Sequence, residues 1–133
     1  MARKSLNIPD AELAVMQCLW EHGSASARDL TDWLYPGGGT AQVATVQKLL
    51  TRLEEKKCVR RNRGTWPHLF QPAVQREDVI FSELQGAADR LCEGALHPLL
   101  THLVKAGNLS ADDRQSLRAL LDELDDSPGQ AKK

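Results

Sequence analysis

The sequence predicts a mainly α-helical chain with one short β-hairpin, and three observations carry that prediction. Residues 40–57, TAQVATVQKLLTRLEEKK, place Val43, Val46, Leu49, Leu50 and Leu53 at spacings of three and four, the stripe of an amphipathic helix. The next segment, CVRRNRGTWPHLFQP, reads as two short strands about an arginine-rich turn. From Val74 onward the chain turns acidic and carries leucines at helical spacing.

Taken in order, residues 1–7 form a short basic tail. Helix 1 starts near Pro9–Asp10, since proline suits a first helical turn and acids suit the positive helix end. Leu13, Met16, Leu19 and Trp20 mark its buried side, and Gly23 closes it. Ser26 caps helix 2, and Asp29 three residues on completes a capping box. Ala27, Leu30 and Leu34 face inward, while Arg28 sits where a phosphate meets a helix amino terminus. Pro36-Gly37-Gly38-Gly39 ends helix 2; with no Gly-Lys-Ser/Thr after it and no strand before it, this is a turn and not a P-loop. Thr40 is the expected cap of helix 3.

Helix 3 carries a second stripe, Gln42, Thr45, Lys48 and Arg52, of the residue types that read base edges and hold phosphates. After it, Val59 opens a strand, Arg61-Asn62-Arg63-Gly64 makes a turn with glycine at positive φ, and Leu69-Phe70 opens the return strand. Pro67 shortens the pairing. Three helices and an arginine-tipped hairpin make a winged helix-turn-helix, with helix 3 in the major groove and the hairpin on the backbone or in the minor groove. Arg28, Thr40, Gln42, Thr45, Lys48, Arg52, Arg60, Arg61 and Arg63 are the expected contacts to double-stranded DNA.

Charge distribution agrees. The net charge of −1 hides ten Lys/Arg against seven Asp/Glu in residues 1–72 and seven against eleven in residues 73–133. A basic patch on a near-neutral chain marks a polyanion site. No apolar run approaches membrane-spanning length, and MARKSLNIPD lacks a signal-peptide core, so the expectation is a cytoplasmic protein without membrane insertion.

Residues 8–73 are thus the expected DNA-binding domain, residues 74–125 a helical dimerisation domain and residues 126–133 a second tail. Helix 4 runs to about Cys92 with Val79, Ile80, Leu84, Ala87, Ala88 and Leu91 along one stripe. Helix 5, with Pro98 in its first turn and Gly107-Asn108 as its stop, carries Leu96, Leu99, Leu100, Leu103 and Val104. Ser110 and Asp113 form a second capping box, and Leu117, Leu120, Leu121 and Leu124 stripe helix 6. Three short helices make a weak core alone, so pairing with a second copy is expected to bury these faces.

Little else in the sequence carries chemistry. Cys18, Cys58 and Cys92 are odd in number, widely spaced and without a CxxC, which argues against a disulfide framework or a zinc site. His97 and His102 lie five apart and share no helix face well, so no cofactor or metal is expected. No nucleophile–base pattern occurs, so no enzymatic activity is expected. Two other readings remain open: a winged-helix protein-interaction module without DNA binding, and a metal-responsive regulator using Cys92, His97 and His102.

Four segments together resemble the BlaI/MecI/CopY, or penicillinase-repressor, family of winged-helix regulators. DAELAVMQCLWEHG and SARDLTDWL are similar to its first two helices, and ATVQKLLTRLEEKKCVRR to its recognition helix and first wing strand. LCEGALHPLLTHLVKAGNLSADDRQSLRALLDEL resembles its dimerisation helices. The resemblance implies a dimeric repressor on an inverted-repeat operator, released when a membrane sensor-protease prompts cleavage of an asparagine-phenylalanine bond in helix 5. His102-Leu103 stands at that position here, and no cysteine follows Cys92 as in the copper-responsive branch, which leaves the inducer open. Lys57 stands where the family wing usually has glycine.

Overall fold

The computed structural model describes residues 6–107 and 109–126. Its elements are α1 (Asp10–His22), α2 (Ala27–Leu34), α3 (Thr40–Glu55), β1 (Val59–Asn62), β2 (Leu69–Pro72), α4 (Arg76–Leu91), α5 (His97–Lys105) and α6 (Ala111–Asp125). Residues 1–5 of the expected tail 1–7, Asn108 of the expected stop and residues 127–133 of the expected tail 126–133 lie outside the described residues, whereas Leu6 and Asn7 are hydrogen-bonded to Ser82 and Lys56. Two compact units result, divided between Gly86 and Ala87, inside α4. The sequence had placed the boundary before Val74.

In the first unit α1, α2 and α3 enclose the core. Val15, Met16, Leu19, Leu30, Val46, Leu50, Leu53 and Cys58 are all fully buried. Burying a Leu or Met side chain this completely contributes roughly 1.5–3 kcal/mol each, so the helix stripes hold the unit together. Gly23 ends α1 at φ 87°, its N–H donating to the Leu19 carbonyl. Ser26 and Asp29 exchange the two capping-box bonds: Asp29 N–H to Ser26 Oγ at 3.0 Å and Ser26 N–H to Asp29 Oδ2 at 3.1 Å.

The hairpin is four residues on each side, antiparallel, with Arg60 opposite Gln71 and Arg61 opposite Phe70. Ala25, in the loop before α2, adds a bridge to Phe70 (2.8 and 3.0 Å) and so docks the hairpin root on the helices. That pairing leaves no pattern in a single residue and is invisible in the sequence.

Two local expectations change. The N-cap of α3 is Gly39, with Thr40 its first helical residue. Gly64 does not take positive φ, because Asn62 and Arg61 belong to β1 and the turn lies further on, tied by the Gly64 N–H to Asn62 Oδ1 bond of 2.9 Å. The left-handed residue of this region is Lys57, at φ 64°, where α3 gives way to β1. A side chain there costs about 1 kcal/mol, strain that the glycine expected from the family resemblance would avoid.

α4 begins on the winged helix itself. Trp20 Nε1 donates to the Val74 carbonyl at 2.9 Å, Arg76 lies over the Trp20 ring at 4.9 Å, and the buried Ser82 hydroxyl accepts the Leu6 N–H at 2.8 Å. These contacts, with Val79 in the core, put the first half of α4 in the first unit. Glu12, in the first turn of α1, is buried and receives the Lys56 ammonium, which also donates to the Asn7 carbonyl.

The second unit contains the rest of α4, α5 and α6. Ser110 and Asp113 form the expected capping box. Neither α5 nor α6 has a buried residue.

Candidate nucleic-acid interface

α3 presents its stripe of Val46, Leu49, Leu50 and Leu53 to the core, and this decides which residues are left for a ligand. Thr45, Lys48 and Arg52 are exposed. Gln42 is not on that face. It precedes Val46 by one turn on the stripe that continues to Leu49 and Leu53, and it is half-buried. Its side-chain oxygen accepts the Gly39 N–H at 2.9 Å, satisfying one of the backbone donors left open at the helix start. Thr45 donates to the Ala41 carbonyl at 3.1 Å and keeps its lone pairs outward.

A second row runs along α3 beside the hairpin. Val43, Gln47 and Thr51, four apart, line a groove of about 610 Å³ with Ala27 and Arg28 of α2 and with Arg61, Trp66, Pro67, His68 and Phe70 of the hairpin. Gln47, Thr51, Trp66 and His68 were missed by the sequence reading. The signal for the first two was their spacing from Val43; the tryptophan gave none, because a hairpin's facing can be judged only once its root is placed.

The arginines divide by role. Arg61 holds Glu54 in a two-pronged pair, Nε to Oε2 at 3.1 Å and Nη2 to Oε1 at 2.8 Å, with its guanidinium 4.8 Å from the Phe70 ring centre. The forked geometry and the aromatic face suit arginine and not lysine; this side chain fastens the hairpin to α3. Arg63 is 67% exposed and touches Glu54 only at 3.7 Å. Arg28 is paired with Asp32 at 3.5 Å across one exposed helical turn, a contact worth a fraction of a kcal/mol and readily exchanged for another anion. Arg60 on β1 is exposed.

Burial raises the Cys58 thiol above its usual range, with Lys56 opposing and Glu12 adding to the effect, and burial with help from Glu21 raises Cys18. All three cysteines are free; Cys58 is buried, while Cys18 and Cys92 are only half-buried. Among the described residues no group of three or more His, Cys, Asp or Glu side chains is arranged to hold a metal ion. Nor, among them, is any helix long and apolar enough to cross a membrane.

A family model described as Penicillinase repressor matches residues 8–123. The chain belongs to the penicillinase repressor family. Among its relatives, a penicillinase repressor of Bacillus licheniformis is 25% identical over 91% of this chain and 94% of its own length. The methicillin resistance regulatory protein MecI of Mammaliicoccus sciuri is 24% identical over 92% of this chain and 99% of its own. The solution structure of the DNA-binding domain of the repressor BlaI matches 58% of this chain and 93% of that domain, at 26% identity and a TM-score of 0.48. The family is one of repressors, not of enzymes, and these relatives are named as a repressor and a regulatory protein. The winged helix-turn-helix expected from the sequence is the fold present in the first unit, six helices and one hairpin accounting for the elements of the described chain.

Proposed function

We propose that this penicillinase-repressor family member is a transcriptional repressor that binds an inverted-repeat operator as a homodimer. The observation that carries the reading is the paired surface of α3 and the hairpin, exposed cations flanking a groove between two elements. A duplex fits it with α3 in the major groove and the hairpin on the neighbouring backbone. Thr40, Thr45 and Gln47 face bases. Lys48, Arg52, Arg60, Arg63 and Arg28, the last at the amino end of α2, hold phosphates. Gln42 sets the end of α3 and Arg61 sets the hairpin, so both act by positioning.

Two copies are joined through the second unit. Leu100, Leu103, Val104, Leu117 and Leu120 line a groove of about 480 Å³ whose walls are exposed leucines. Water-facing leucines at this density favour burial against a like surface. His102-Leu103 lies within α5 with both side chains exposed. A helical bond must first unravel to enter a protease, and a cut there would divide the leucine surface and release the dimer from its operator.

The test is selection of duplexes from a randomised pool by the full chain, followed by titration at several salt concentrations. Recovery of a two-fold symmetric sequence is expected, with Lys48→Ala flattening the slope of log K against log salt by about one unit. Gln47→Ala is expected to relax the selected sequence, and Gln42→Ala to weaken all sequences alike. A chain that enriches no duplex and elutes from a DNA column at low salt is an interaction module instead.

A further inference from the structure

Trp66 is 87% exposed, against 42% for Trp33 and 36% for Tyr35. The difference is not one of degree only. Trp33 is stacked on His22 with ring centres 3.8 Å apart, a contact that belongs to the helices. Trp66 sits beyond the strands in the turn of the hairpin and meets His68 edge-on at 5.1 Å. The fold gains almost nothing from an indole held there, while a large apolar ring kept in water costs hydration free energy. The same ring lines the groove that Arg28 and Thr51 enter from the helices. Arg60 and Arg63, both exposed on the same hairpin, give it a positive potential that draws it onto a polyanion.

We propose that Trp66 is an apolar DNA contact of the wing, its indole lying against the deoxyribose wall of the minor groove beside each half-site. The proposal rests on the repressor reading above and adds to it the residue that supplies binding independent of salt. Cations on this surface act through counterion release, which weakens as salt rises. Contact between an aromatic ring and the sugar wall releases water instead and is indifferent to ionic strength. His68, edge-on to the indole, limits its swing and presents one ring face to the duplex.

The experiment uses the full chain and the duplex it selects from the randomised pool, with Trp66→Ala and Trp66→Phe beside the wild type. Trp66→Ala is expected to bind about tenfold more weakly, the scale of losing one aromatic contact, with an unchanged salt slope and an unchanged melting temperature. Trp66→Phe is expected to restore most of the affinity. Hydroxyl-radical footprinting, which reads deoxyribose exposure, is expected to lose protected sugars at the outer edge of each half-site in Trp66→Ala and nowhere else. Wild-type affinity in Trp66→Ala, or a weaker complex with every sugar still protected, would overturn the proposal. So would a slope shallower by about one unit, since the loss would then be of a phosphate contact. If the wild type selects no duplex at all, the repressor reading falls and this one falls with it, which separates the two failures.

Discussion

The two units of the chain carry similar leucine stripes and use them differently. In the first, Leu19, Leu30, Leu50 and Leu53 are fully buried by neighbours from the same chain. In the second, Leu91, Leu100, Leu120 and Leu121 remain between 52% and 70% exposed. Periodicity is equally strong in both, so a stripe tells that a face will be covered and not by what. Three helices and a hairpin can surround a centre; two short helices and the end of a third cannot. The unsatisfied half of the pattern is what supports a second copy as its cover.

This contrast can be broken by truncating one leucine in each unit. Leu50→Ala is expected to cost about 2–5 kcal/mol, lowering the melting temperature of the first unit whatever the protein concentration. Leu120→Ala is expected to leave that transition alone and to raise the dimer dissociation constant by about tenfold, read by sedimentation equilibrium. A concentration-independent loss in Leu120→Ala would mean that the leucines of the second unit are covered within one chain.

A finer comparison sets two arginines of the hairpin against each other. Arg61→Ala is expected to lower the stability of the first unit by about 1–3 kcal/mol, since it leaves the half-buried Glu54 without its forked partner. Arg63→Ala is expected to leave stability within about 0.5 kcal/mol and to reduce the salt slope of DNA binding by about one unit. Equal effects on both quantities would erase the distinction between a fastening arginine and a contacting one.

Smaller still is the backbone term at Lys57. Lys57→Gly is expected to stabilise the first unit by about 1 kcal/mol, measured by urea denaturation, because glycine accepts φ 64° freely. The smallest effect concerns the thiols. Folding raises the pKa of Cys58 and of Cys18, chiefly by burial, so above the usual thiol range the unfolded chain gives up protons that the folded chain keeps. Stability therefore falls as pH rises past about 9. Cys58 is expected to react with a thiol reagent at pH 8 only on unfolding, faster labelling being the sign that the first unit opens locally.

The exposed faces from which the proposed interface is built were partly legible in the sequence, and the parts that were not share one cause. The stripe of α3 marked the helix and its exposed cations, since a helix's facing follows from spacing alone. Gln42 is three residues from Thr45 but four from Val46 and seven from Leu49, so spacing fits either flank; it is half-buried, and its side chain is held by the Gly39 N–H. Arg61 and Arg63 look alike in RRNR, and only the approach of Glu54, seven residues earlier, separates them.

The sequence alone determined the order and type of the elements, the two capping boxes and the basic character of one half. These depend on neighbours within a few residues, and local physical chemistry settles them. Tertiary structure decided which arginine is spent on the fold, where Ala25 pins the hairpin, and that Trp66 stands in the open beside α3. Each of those is a meeting of residues distant in the chain, and no short-range pattern encodes who meets whom.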